Sequence, residues 1–323
     1  MTDHTPLVEV SRLTKHYPVR KGLLGRETAR VRAVEEVSFS IGRNEVLGLA
    51  GESGSGKSTI GRLLLRLIEP TSGSVAFDGA RVESMSPDEL RAFRRRAQII
   101  FQDPFASLDP LMTVGQSIAE PLIIQNIASG SALDDRVAGL LDAVSLPRDF
   151  ARRPPDALSG GQRQRVVIAR ALAVDPAFIV ADEPVSALDV SIQAQVLALL
   201  ETLKARRSLS MLFISHDIAV MEYVSDRIAV LYLGRVMEIG PAADVVSTPR
   251  HPYTEALVSA VPGGAGRERI LLKGEAPNAA DPPSGCVFRT RCPYALADCA
   301  AIVPPLREVS PGHFKACIRD DRP

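Results

Sequence analysis

Cysteine is missing from the first 285 residues of this 323-residue chain, and its four copies all lie beyond that point. The larger part therefore folds without disulfides. Clustered thiols in a chain without an export signal favour metal binding over disulfides. Charge imbalance is missing too: 38 Lys and Arg balance 38 Asp and Glu, so the whole chain carries no nucleic-acid footprint. No apolar run reaches the ~18 residues that span a bilayer. The start, Met1-Thr2-Asp3-His4-Thr5-Pro6, has no apolar signal region. These absences predict a cytosolic protein that meets a membrane only through a partner. No internal repeat or long low-complexity tract is found. The length suits one large domain with an appendage, or two domains.

What is present centres on Gly51-Glu52-Ser53-Gly54-Ser55-Gly56-Lys57-Ser58-Thr59. It fits the phosphate-binding pattern of Gly, four residues, then Gly-Lys-Ser/Thr. Glycines let the backbone curl and turn successive N–H groups onto an anion. Lys57 adds a point charge for β- and γ-phosphates, and Ser58 a hydroxyl for Mg²⁺. A buried strand (46–50) precedes the loop and a helix (59–68) follows it, the arrangement that binds phosphate.

Around this loop the chain reads as an α/β core. Residues 7–17 and 34–41 alternate as strands. The basic stretch between them, with Arg20, Lys21, Arg26, Arg30 and Arg32, reads as a solvated loop. A helix over 87–96, crowded with Arg91, Arg94, Arg95 and Arg96, reads as a solvated face, and Ile99-Ile100-Phe101 as a buried strand leading to Gln102. From Asp103 to about Pro155 apolar residues recur at helical spacing, which predicts a helical insertion. Leu158-Ser159-Gly160-Gly161-Gln162 then opens a helix, with Ser159 as N-cap. Ala177-Phe178-Ile179-Val180-Ala181 is a buried strand ending in Asp182-Glu183. Two carboxylates at a strand's C-terminal end, beside a phosphate loop, suit Mg²⁺ binding and activation of an attacking water. Met211-Leu212-Phe213-Ile214-Ser215 is a similar strand ending at His216, and 228–239 reads as a hairpin about Leu233-Gly234-Arg235.

With these residues in place, residues 7–245 resemble the ATPase subunits of ATP-binding cassette transporters. The resemblance makes Gly51–Thr59 the Walker A loop, Gln102 the Q-loop glutamine and Leu158–Gln162 the LSGGQ signature. It makes Asp182 the Walker B magnesium residue, Glu183 the catalytic glutamate, Ser186-Ala187-Leu188-Asp189 the D-loop and His216 the switch histidine. Tyr17 resembles the aromatic that stacks on adenine. The family's mechanism implies that two such domains face each other, the Walker A of one and the signature of the other enclosing each ATP. Lys57, Ser58 and Asp182 would then hold phosphate and Mg²⁺, with Gln102 and His216 at the γ-phosphate and Ser159 and Gly161 on the partner's ATP.

Arg250-His251-Pro252-Tyr253-Thr254-Glu255-Ala256-Leu257 opens a helix that resembles the C-terminal extension of oligopeptide and dipeptide importers, as does Phe101 to Pro110 around the Q-loop. A Pro/Gly-rich connector follows, including Pro262-Gly263-Gly264 and 277–285. Cys286, Cys292, Cys299 and Cys317 come next, spaced C-x5-C-x6-C-x17-C. Four thiolates suit tetrahedral Zn²⁺ or a 4Fe-4S cluster. The absence of paired C-x2-C favours iron–sulfur over zinc and over free or oxidised thiols, some members of the resembled subfamily carry such a cluster, and Arg289 and Arg291 would offset its charge.

The expected fold is thus a P-loop NTPase core with an antiparallel β-subdomain and a helical subdomain inserted over about 103–165. The cassette covers 1–245, and a small metal-stapled extension covers 246–323. The resemblance implies an ATPase on the cytoplasmic face of the inner membrane, importing peptides with a second ATPase subunit, two permeases and an external solute-binding protein. Importers of nickel or glutathione, and a soluble ATPase outside transport, share the same site.

Overall fold

A computed structural model describes residues 5–21, 26–261 and 268–320, and the chain divides into two units. Residues 1–4 of the polar start and the Pro262-Gly263-Gly264 connector lie outside the described residues.

The first unit takes the chain up to residue 42, then 46–83, then 213 onward. It holds a four-stranded antiparallel sheet ordered Arg26–Ile41, Val8–Lys21, Ser72–Phe77, Ala80–Arg81. Alternation buries Val8 and Val10 on one strand, and Val37, Phe39 and Ile41 on its neighbour. The basic stretch is a correction. It is not a loop but continues the pairing, from Tyr17 opposite Val31 out to Lys21 opposite Arg26. Val19, Thr28 and Val31 suit a pleated strand. Arg26–Ile41 lies at the sheet edge, where basic side chains discourage further strand addition.

The same unit carries the strand before the phosphate loop. Val46–Ala50 is buried throughout and runs parallel to Arg227–Tyr232, from Leu47 opposite Arg227 to Ala50 opposite Val230. Arg227–Tyr232 turns through Leu233 and Gly234, at φ 44° and 75°, into the antiparallel Arg235–Pro241. The C-terminal extension then adds to this sheet: His313–Lys315 pairs with 235–241, and Arg307–Ser310 pairs outside it.

A buried polar cluster fixes the join. Glu238 has no exposed surface. Its carboxylate accepts the N–H groups of Arg250 (2.7 Å) and His251 (2.8 Å), and His313 Nε2 lies 2.7 Å from Oε1. Among the described residues no group of three or more His, Cys, Asp or Glu is placed to hold a metal ion. Strand addition and buried side chains attach the extension, and the metal staple expected there is not shown.

The second unit takes 43–45 and 84–212. Strands Ala97–Ile100 and Phe178–Asp182 pair in parallel, from Ala97 opposite Phe178 to Ile100 opposite Ala181. Three helices start with reciprocal capping boxes: Pro87–Arg96 from Ser86, Val114–Ile124 from Thr113 and Gly160–Leu172 from Ser159. Arg91, Arg94, Arg95 and Arg96 are exposed on the first, as expected. Val114–Ile124 and Ser131–Ala143 pack on Gly160–Leu172, with Ile118, Leu122, Leu141, Val166 and Ile168 fully buried. Two further elements are a long helix, Val190–Arg207, and the strand Ser210–Ile214, which carries the chain back to the first unit. No helix among the described residues is long and apolar enough to cross a membrane.

Candidate nucleotide site

In the first unit the buried strand Val46–Ala50 delivers the chain into Gly51 at φ 150°. Only glycine fits there: a Cβ would stand 2.2 Å from the Leu231 carbonyl oxygen. Gly56, at φ 105°, is likewise pressed on the Ala33 carbonyl, which a Cβ would meet at 2.1 Å. Helix Lys57–Leu64 starts directly after it and has no side-chain cap. Lys57 is buried, and its ammonium donates to the carbonyls of Gly51 (2.7 Å) and Glu52 (3.0 Å). Ser55 Oγ is buried and finds no partner among the described residues. Ser58 and Thr59 are half-buried, and Ser53 and Gly54 are exposed at the loop's tip. A glycine cradle, an uncapped helix start, a positioned ammonium and an unsatisfied hydroxyl fit a polyphosphate. Tyr17 stands on its strand 37% exposed, with the Lys15 ammonium 5.1 Å from its ring centre. His216 is exposed just beyond the strand Ser210–Ile214.

In the second unit the parallel register decides which side chains meet. Ile100 opposes Ala181, so two residues further on Gln102 comes beside Glu183. The Gln102 amide donates to Glu183 Oε2 at 2.9 Å. Asp182 closes its strand and is 4% exposed. Glu183 turns the chain at φ 48°, and its carbonyl accepts from Ser186. Asp189 then caps helix Val190–Arg207 by position only, since its side chain makes no cap bond.

The pentapeptide 158–162 is also set by its cap. Ser159 Oγ accepts from the Gln162 N–H at 3.3 Å, and Gln162 Oε1 accepts from the Ser159 N–H at 3.0 Å. Gly160 is uncrowded, whereas a Cβ on Gly161 would come 2.5 Å from Ile192 Cγ2. The helix thus starts close against its neighbour. The segment after Gln102 is tied to the same helix. Arg163 lies over the Phe105 ring at 4.0 Å, and Arg170 donates to the Ser107 carbonyl at 2.7 Å and pairs with Glu120. An open groove of about 900 Å³ runs past Met112, Gln116, Ala119, Glu120, Ile123 and Arg148.

The four cysteines are free thiols that line one cavity. Burial pushes the Cys286 thiol up to about 11 and raises that of Cys292. Both stay protonated at neutral pH. As placed, the thiols do not fit a bound metal.

Of the two arginines expected to offset a cluster's charge, Arg289 lines the cysteine cavity and Arg291 does not. Arg289 donates to the Ser284 carbonyl at 2.9 Å, and Arg291 reaches the phosphate loop, with Nη1 2.7 Å from Glu52 Oε2. Tyr253 Oη accepts the Glu52 N–H at 2.9 Å. Glu52, Tyr253 and Arg291 were therefore missed as site residues. Glu52 fills a variable position of its motif, and no local pattern links residues 201 and 239 positions apart.

A profile of the ABC transporter family matches residues 34–186. The chain is also 57% identical, over 98% of its length and 99% of the relative's, to a Brucella ovis protein named as a peptide import ATP-binding protein. The oligopeptide transport ATP-binding protein AppF of Bacillus subtilis is 48% identical over 96% of each chain. The cassette MJ0796, solved as a dimer bound to ADP and Pi, superposes with a TM-score of 0.65. It is 33% identical, and the match covers 73% of this chain and 98% of that one. The chain belongs to the ABC transporter family of ATPases and has the ABC cassette fold. Its cassette continues into a region of the oligopeptide/dipeptide transporter C-terminal type, matched over residues 237–299.

Proposed function

We propose that the chain is the ATP-hydrolysing subunit of a membrane importer of dipeptides and oligopeptides. The observation that carries this is the Gln102–Glu183 hydrogen bond beside buried Asp182, in a chain that also has the peptide-transporter C-terminal region. Lys57 and the Gly51–Thr59 backbone hold the β- and γ-phosphates, and Tyr17 takes the adenine. Ser58, Asp182 and Gln102 would hold Mg²⁺, which would supply charge neutralisation at the phosphates. Glu183 orients the attacking water and receives its proton, and Gln102 fixes the Glu183 carboxylate by its amide. His216 would act at the γ-phosphate. Ser159, Gly160, Gly161, Gln162 and Asp189 complete the ATP site of a second ATPase subunit.

The groove past Gln116, Glu120 and Ile123 would receive a permease segment, with the chain on the cytoplasmic face of the membrane. Two permeases, the second ATPase and an external solute-binding protein complete the assembly. Cys286, Cys292, Cys299 and Cys317 line one cavity, which supports a shared metal after local rearrangement, an iron–sulfur cluster by spacing or else Zn²⁺.

The test is isolation of the tagged chain from its host's membranes in mild detergent, with iron, sulfide and zinc analysis. Two permeases and a second cassette ATPase are expected, together with uptake of peptides. Co-purification with none of them, or uptake of nickel or glutathione instead, overturns the peptide reading. In the same preparation Glu183→Gln lowers kcat by at least about 100-fold and leaves ATP binding intact. Normal turnover in that variant overturns the assignment of the base.

A further inference from the structure

Glu52 is held on three sides within the first unit. Its N–H donates to Tyr253 Oη at 2.9 Å. Its carboxylate takes Arg291 Nη1 at 2.7 Å. Its carbonyl accepts the Lys57 ammonium at 3.0 Å, and the Gly51 carbonyl next to it accepts the same ammonium at 2.7 Å. The peptide that aims the phosphate-binding lysine is thus clamped from the C-terminal extension.

The clamp is half-buried. The Arg291 side chain is 10% exposed, and that of Glu52 32%. A charge-assisted bond in such a place is stronger and less screened than a surface ion pair. Tyr253 has no exposed surface, and its ring packs on Tyr232 and Phe288 at 4.8 and 5.2 Å. Phe288 and Arg291 both come from the short segment between Cys286 and Cys292, which turns through Arg289 N–H to the Cys286 carbonyl and Arg291 N–H to the Phe288 carbonyl. Phe288 anchors the segment in the aromatic cluster, and Arg291 emerges one turn later on Glu52.

We infer that Arg291 and Tyr253 are positioning residues for the phosphate loop, acting through Glu52, so that the cysteine segment sets ATP affinity. The inference rests on the ATPase reading and adds to it. Each residue fixes the Glu52 peptide, and through it the carbonyls that hold Lys57. Losing the clamp leaves Lys57 and the glycines present but less ordered before nucleotide arrives. The cost falls on binding more than on the chemical step.

The experiment titrates MgATP and measures steady-state hydrolysis in the full chain, alone and in its transporter complex. Arg291→Met, Arg291→Lys, Glu52→Gln, Tyr253→Phe and the double Glu52→Gln/Arg291→Met are compared, with thermal midpoints beside them. Arg291→Met is expected to weaken ATP binding about tenfold while changing kcat less than about threefold. Arg291→Lys should recover part of the affinity, Tyr253→Phe should lose about threefold, and the double variant should be no weaker than the worse single one. Unchanged affinity with only a lowered thermal midpoint overturns the inference. So do losses that multiply in the double variant. A wild-type chain that binds no MgATP overturns the ATPase reading instead.

Discussion

The phosphate loop and the cysteine segment lie in one unit and meet at Glu52, yet they hold their shapes by opposite means. In Gly51–Thr59 the backbone is fixed first: Gly51 and Gly56 press against the carbonyls of Leu231 and Ala33, where a Cβ would collide. In Cys286–Cys292 the backbone makes turns and one longer-range bond, from the Cys286 N–H to the Cys299 carbonyl, and side chains do the rest. Phe288 sits among Tyr232, Tyr253 and His251, and Arg291 lies on Glu52. A backbone-built site fails when a methyl group is added. A side-chain-built one fails when a side chain is taken away.

The hardest break in the comparison is on the loop side. Gly51→Ala puts a Cβ 2.2 Å from the Leu231 carbonyl at φ 150°, and Lys57→Ala removes the ammonium held by the loop's own carbonyls. Each should lower kcat/KM for ATP by about 10²–10³-fold. For Lys57→Ala the fold should persist, seen as an unchanged circular dichroism spectrum. The extension's counterpart is Glu238→Ala. It strips the acceptor from His313 and from the N–H groups of Arg250 and His251 in a fully buried place. The expected cost is about 3–5 kcal/mol in denaturant unfolding. ATP affinity should fall only in so far as the extension lets go of Glu52.

The same contrast decides what could be read before the structure was known. The glycine loop, the capped helix at Ser159 and the strand ending in Asp182-Glu183 are local, so spacing and chemistry reveal them. Gln102 meets Glu183 because two short parallel strands share a register, and a motif order can anticipate that. The hairpin through the basic stretch was hidden because charge masked β-branched positions that an edge strand tolerates. The extension's anchors were hidden for a related reason. Its own composition is poor in apolar residues, so it looked in need of a metal. Its anchors are borrowed: Phe288 packs on Tyr232 and Tyr253, and His313 reaches Glu238, 75 positions away. No window of sequence contains both halves of such a contact.

A smaller effect separates the two regions by pH. His251, at the join, is buried and held neutral, its pKa pushed down from 6.5 to about 3 by burial and further by the Lys315 charge. Below pH 6.5 the unfolded chain gains a proton that the folded chain refuses. The stability from this residue is therefore full above that pH and lost as pH falls towards about 3. Between pH 6.5 and 5 the loss is about 2 kcal/mol. His251→Asn keeps an acceptor for the Tyr253 N–H but does not titrate. Unfolding midpoints at the two pH values should converge in the variant. Equal pH slopes in both proteins would assign the acid sensitivity to other groups.

The finest test lies inside the aromatic cluster, between its two tyrosines. Both are buried and raised in pKa by burial, so both keep their hydroxyl protons. Their oxygens differ in reach. Tyr253 Oη takes the Glu52 N–H at 2.9 Å, whereas Tyr232 Oη lies 3.5 Å from Arg291 Nη1, at the outer limit of a hydrogen bond. Tyr232→Phe keeps the ring contacts with Tyr253 and Phe288 and loses only that marginal bond. It should therefore change ATP affinity by less than about twofold, and stability by less than about 0.5 kcal/mol. Tyr253→Phe, with the same atom removed one ring away, leaves the Glu52 N–H without its acceptor and should cost more. MgATP titration of the two variants side by side reads the difference directly. An equal loss in both would mean that the cluster supports the phosphate loop by ring packing rather than through the Glu52 peptide.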